Sequence, residues 1–304
     1  MKSHILERLQ WPASPRWLAL FRIALGLEIF WAAQRRLSTF VGGLDRPLNL
    51  ESYFPEWLDE LLLGQLGVLR FLLCALALVF AAGAGTRFVT PALAIAHLLF
   101  YSPVYGRFDA PVPWLYEFAP LIFLCWARTA DVWSVDAWIR QRRKSGKSIS
   151  EVDPREYRWP LEAATCWFVL IYLWAAVAKW VPLRDGIAWG DGGIIRYIMY
   201  VRFLDSPSSW VAENPLFNYV DTTWPFAFFA LLALATEVSV ILLLVTTRVH
   251  LFVLGGILGM HLFLVYIGVF GFIEHALVLI IPILGTCRMF RPNPSNGGPV
   301  SASA

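Results

Sequence analysis

Residues 172–193 read YLWAAVAKWVPLRDGIAWGDGG, an apolar helical run that takes on a lysine, Lys179, just before Pro and Gly break it. An ammonium set among Trp174, Ala175, Ala176, Val177, Ala178, Trp180 and Val181 is costly in any apolar medium, so the run asks which medium surrounds it. The rest of the chain answers. Of 304 residues, 58% are hydrophobic and 15% charged, and the mean hydropathy is +0.58. That balance lies far outside a soluble domain and fits a chain that crosses a bilayer repeatedly. Fifteen Trp suit aromatic belts at two interfaces.

Apolar runs near the length that crosses a hydrocarbon core predict eight helices, at about 17–33, 66–83, 88–104, 113–130, 160–181, 224–246, 249–269 and 271–287. The first run, WLALFRIALGLEIFWAA, carries Arg22 and Glu28 and is followed by QRR, so it reads as a retained span and not a cleaved signal. With these spans fifteen Lys and Arg fall on one side, seven on the other and three inside. The positive-inside rule then places both termini in the cytoplasm. The expected fold is an all-α polytopic membrane bundle, N-in and C-in, in the cell's inner (plasma) membrane. One membrane domain covers 1–288, and the Pro, Gly and Ser-rich tail 289–304 reads as disordered. The loop IRQRRKSGKSISEVDPREYRWP reads as a solvated cytoplasmic linker facing headgroups. In the outer loops PEWLDELL opens with a helix start, and GIIRYIMYVRFL spaces Ile194, Ile195, Ile198, Met199 and Leu204 as an interfacial helix able to roof a cavity.

The lipid bilayer is the expected partner, and nothing signals nucleic acid. Cys74, Cys125, Cys166 and Cys287 lack CxxC spacing and read as small apolar residues. His97, His261 and His275, with Glu237 or Glu274, raise a metal reading, but none has i, i+4 or HExxH spacing, so hydrogen-bonding histidines without a metal are expected. GGILGMH holds Gly255 and Gly259 at GxxxG spacing, which predicts a neighbouring helix there, pressed close to His261. Arg22 and Glu28, six apart, look for partners on other helices, Arg22 with Glu237 being one option.

Below Lys179, steps of three and four reach Ala176, Ala175 and Tyr172, a face of small residues with a phenol at its foot. Two readings stand side by side. Lys179 snorkels to the outer interface from within a turn of the helix end, or it is a buried amine able to take a proton. No internal repeat or paired broken helices argue for a transporter relay.

Arg22 within LALFRIALG, the block VWSVDAW, the run YLWAAVAKW, Glu237 within ATEVSVILLL and the block GMHLFLVYIGVFGF occur in an order that resembles the HTTM family. This membrane domain is shared by bacterial proteins and vitamin K-dependent gamma-glutamyl carboxylases, and the resemblance spans about 15–290. It implies that Lys179, matched through Tyr172 and Ala175, deprotonates a reduced quinone, a vitamin K-like hydroquinone. O2 and CO2 are the implied co-substrates: the oxygenated quinol removes a proton from a glutamate side chain, CO2 attacks, and the quinol leaves as an epoxide. On this reading Lys179, Glu237 and His261 are the catalytic candidates, and Tyr172, Ala175, Ala176 and Arg22 line the quinone. Two features depart from the carboxylases: a histidine position falls near Pro113 in APVPWLY, and the large luminal substrate-binding region is missing. The alternative expectation is a non-enzymatic helper in maturation, immunity or export of a secreted or membrane peptide.

Overall fold

The computed structural model describes residues 11–41, 55–105, 115–143, 152–180, 222–246, 248–266 and 275–287, with Gly192, Gly193, 195–197, Met199, Tyr200, Pro215 and Asn218. Every regular element among them is helical. In chain order these are α1 (Pro15–Val41), α2 (Glu56–Gly64), α3 (Leu66–Ala82), α4 (Thr86–Tyr105), α5 (Leu115–Leu124) and α6 (Val135–Arg142). After a 3-10 turn at Pro154–Tyr157 come α7 (Arg158–Trp180), α8 (Trp224–Ser239), α9 (Leu242–Val245), α10 (His250–Tyr266) and α11 (Ala276–Thr286). Three helical stretches are long and apolar enough to cross a membrane: Pro15–Gln34, Pro154–Lys179 and Trp224–Val245. Leu66–Ala82, His250–Tyr266 and Ala276–Thr286 are shorter apolar helices. The protein is therefore all-helical and of the multi-pass membrane class.

Two expected boundaries move. α1 runs on to Val41, past the expected 33, because Gln34, Arg35 and Arg36 end an apolar window without ending a helix. α5 stops at Leu124 instead of 130: Trp126 N bonds Phe123 O and Ala127 N bonds Leu124 O, tightening the chain into turns. Glu274, residues 267–274 and the tail from 288 lie outside the described residues.

The chain divides, inside α7 and α11, into two compact units: Lys2–Thr165 with Ile281–Ala304, and Cys166–Ile280. In the first, α1 packs on α3, α3 on α4 and α4 on α5. Leu18, Phe21, Leu25, Ile29 and Ala32 are fully buried along one stripe of α1, while Leu27 and Trp31 are exposed. A helix apolar on its outward face as well as its core face is made for lipid rather than water. Gly26 sets the α1–α3 separation, since a Cβ there would stand 2.8 Å from Ala77 O and 2.9 Å from Ala81 Cβ.

Arg22, fully buried, donates to the carbonyls of Thr129 and, at 2.5 Å, Trp133. Its guanidinium closes the space beside Gly83, whose φ of 71° ends α3 and where a Cβ would lie 2.8 Å from Arg22 Cζ. The VWSVDAW block serves two helices. Ser134 Oγ caps α6 by accepting from Ala137 N at 2.9 Å, while the Asp136 carboxylate caps α4 by accepting from Gly85 N (2.8 Å), Thr86 N (3.0 Å) and Thr86 Oγ1 (3.2 Å). Elsewhere in this unit Arg158 donates to Glu162 Oε1 (Nη2, 2.5 Å) and to Thr286 O (3.1 Å), tying the start of α7 to the end of α11. His97 Nε2 and Glu117 Oε2, both fully buried, meet at 2.7 Å.

In the second unit α7 shows the same two-faced pattern, with Leu170, Trp174 and Val177 exposed and Phe168, Val169, Tyr172 and Ala176 buried. α8 begins with Pro225 in its first turn and packs on α10, where Phe229 stacks on Phe263 at 4.2 Å between centroids. Thr236 Oγ1 donates to Leu232 O and Ser239 Oγ to Thr236 O, back-bonds that weaken the helical ladder just where α8 gives way to α9. His250 Nε2 donates to Leu243 O (3.0 Å), holding the start of α10 to α9.

Gly256 receives the neighbouring helix, with Thr236 Cγ2 3.4 Å from its would-be Cβ. Gly255 and Gly259 instead face open space. The GxxxG expectation is corrected by one residue of helical phase, and Gly256 sits where Gly255 was expected to.

Candidate functional site

The second unit gathers Lys179 of α7, Glu237 of α8 and His261 of α10. Lys179, in the last turn of α7, donates to Glu237 Oε1 of α8 as an ion pair, with side chains 14% and 5% exposed. The seven-residue step from Lys179 back to Tyr172 returns to the same face of α7. Tyr172 Oη lies 2.5 Å from His261 Nε2 of α10, both residues buried. Ala176, between them on α7, is 2% exposed, and Ala175 is half-buried. Their lack of side-chain bulk leaves the phenol and the ammonium as the functional groups of that face.

The residues singled out as Lys179, Glu237, His261, Tyr172, Ala175 and Ala176 thus belong to one unit and meet as two polar pairs. Arg22 does not join them. It belongs to the first unit, where Nη1 and Nη2 donate to the Thr129 and Trp133 carbonyls. Of the three histidines considered as ligands, His97 is in the first unit against Glu117, while His261 bonds Tyr172.

Chemically, the Lys179–Glu237 contact places one proton between an amine and a carboxylate. With the proton on either atom the pair keeps zero net charge, which is the form an apolar surrounding tolerates best. Glu237 Oε2 is buried and has no hydrogen-bond partner among the described residues. Among the described residues it is an acceptor facing no donor, the feature a hydroxyl-bearing ligand would satisfy. The Tyr172–His261 pair is neutral whether phenol or imidazole donates.

The depth of the pair was not readable from the sequence. Lys179 lies one residue from the end of α7, whereas Glu237 lies thirteen residues into α8, roughly 20 Å along its axis at 1.5 Å per residue. Treating every span as complete puts the two at different depths. Their contact sets the end of α7 beside the inner part of α8. Toward the other end of α8, Ile195 and Met199 are buried against Phe226 and Ala230, with Phe229, Phe263 and Leu264 alongside. The described residues of the 193–204 segment are helical, as its spacing predicts, with Ile195 and Met199 packed on α8 and Tyr197 and Tyr200 exposed.

Fold and site define a helical membrane protein that carries a part-buried lysine–carboxylate pair among its helices. No protein-family model, curated protein or solved structure matches the chain.

Proposed function

We propose that the chain is an HTTM-type membrane protein of the inner membrane, with eight spans and both termini cytoplasmic, that performs base chemistry on a reduced, lipid-soluble quinone. The observation carrying this reading is the Lys179–Glu237 pair with the partnerless Glu237 Oε2. A hydroquinone is a flat apolar molecule with a hydroxyl donor, which suits an orphaned carboxylate oxygen in a helix interior. Bound there, it would supply the oxygen-dependent chemistry by which a glutamate carbon is carboxylated.

Glu237 orients the hydroxyl. Lys179 holds the carboxylate in place and, once its proton moves to Glu237 Oε1, presents a neutral amine that takes the hydroxyl proton. Tyr172 and His261 fix the neighbouring face of α7 against α10. The helices exclude water, which would otherwise quench a carbanion.

Purified protein incubated with menaquinol, oxygen and bicarbonate is expected to yield an oxidised quinone product. Lys179→Arg keeps the cation but cannot supply a neutral amine, so product formation falls at least about 100-fold while the thermal transition stays near that of the wild type. Absence of product, or an unimpaired Lys179→Arg, removes the base role.

Tyr197 and Tyr200, exposed on the segment whose Ile195 and Met199 dock on α8, favour a second reading: a non-enzymatic maturation, immunity or export helper that contacts a secreted peptide. Swapping residues 183–223 would then abolish co-purification of the peptide, and Lys179→Met would leave it intact.

A further inference from the structure

At one end of the first unit the chain builds a basic and aromatic face that the proposed chemistry does not use. Ala13 N bonds Pro154 O, Asp136 N bonds Gly83 O and Tyr157 Oη donates to Asp131, which brings together the starts of α1, α4 and α7, the end of α3 and all of α6. Two acidic groups here, Asp131 and Asp136, turn inward, while the half-exposed Asp153 and Glu156 face Arg155 and Arg128, each at 3.7 Å. Asp136 caps α4, and Asp131 takes Arg128 (2.7 Å), Arg140 (3.3 Å) and Tyr157 (2.8 Å). Arg142 and Arg143, both exposed, make no ion pair among the described residues.

α6 buries none of its residues. Val135, Trp138 and Arg142 fall at i, i+3 and i+7, hence on one face. Val135 is 38% and Trp138 52% exposed, and the Arg142 guanidinium stands 3.9 Å over the Trp138 ring. Trp126 and Trp133, just before this helix, are exposed as well. In water such a face leaves indoles hydrated and cations uncompensated. At a bilayer boundary the indoles occupy the headgroup level and the guanidinium groups meet phosphate. Phe88, exposed beside Arg87 in the first turn of α4, repeats the pattern of a cation next to an outward aromatic.

We propose that α6, with Trp126 and Trp133, is a seat for anionic phospholipid headgroups of the leaflet on that side, Arg142 and Arg143 binding the phosphate. The seat does not depend on the quinone reading, and either stands if the other fails.

The full chain in nanodiscs of equal parts phosphatidylglycerol and phosphatidylcholine, released and weighed by native mass spectrometry, reports which lipids stay bound. Phosphatidylglycerol is expected in excess, falling about five-fold for each of Arg142→Gln and Arg143→Gln. Trp138→Ala is expected to lower the total lipid retained. The wild type in about 1 M salt, where screening extends only about 3 Å, loses the excess without any substitution. Equal retention of both lipids by the wild type overturns the proposal, as does an excess that survives the double substitution. Displacement of the lipid by inorganic phosphate or by a soluble acidic peptide assigns the seat to another ligand and overturns it too.

Discussion

Glu237 is 4% exposed and meets its cation through one oxygen only. Removing one member of a buried pair strands the other charge, which costs about 3–5 kcal/mol. Glu237→Leu is therefore expected to lower the thermal transition of the detergent-solubilised protein sharply, and adding Lys179→Met to recover most of the loss. Equal transitions for the single and the double variant would show that the pair does not hold α7 to α8. Tyr172→Phe leaves the buried His261 ring nitrogen without the phenol and is expected to cost about 1–3 kcal/mol in the same measurement. Single residues were legible as unusual because a charge in an apolar run stands out. Their partners were not. The lysine–glutamate pairing joins residues 58 apart, on helices whose relative depth depends on where α7 ends.

Helices were more legible than their ends. The apolar runs became helical, the 224–246 run as two helices, because hydrocarbon length and period are local properties. α5 ends in turns at Leu124, and beyond it the Thr129 and Trp133 carbonyls accept from Arg22, more than a hundred residues back. VWSVDAW serves as joinery, capping α6 with Ser134 and α4 with Asp136. Burial pushes the Asp136 carboxyl up, but hydrogen bonds from Gly85 and Thr86 and the charge of Arg140 more than offset it and hold it below its ordinary value. A carboxyl lowered in the folded state gives stability that is complete above the unfolded value and fades as pH drops through the folded one. The wild type is thus expected to lose stability on acidification below about pH 4. Asp136→Asn lowers the neutral-pH transition and flattens that acid dependence, whereas an unchanged slope would discount the cap. Ser134→Ala is expected to cost about 0.5–2 kcal/mol with no such pH signature.

For the molecule as a whole, the uneven spread of Lys and Arg predicts an orientation with both termini cytoplasmic. Arg128 and Arg140, both counted on the cytoplasmic side, meet Asp131 in the first unit. Cysteine placed at Ser148 is expected to react with an impermeant maleimide only after the membrane is opened, and cysteine at Ser208 from outside intact cells. The reverse pattern would invert the topology.

The joint between α8 and α9 bears on life in bilayers of different thickness. Trp224–Ser239 alone is sixteen residues, about 24 Å, and Trp224–Val245 is twenty-two, about 33 Å, so the joint divides one hydrocarbon-spanning length into two pieces. When lipid tails lengthen or shorten by a few ångströms, the four-residue piece can change its inclination while the long piece keeps its own. Glu237 rides on the long piece, so mismatch is absorbed past it, and the carboxylate keeps its station opposite the amine.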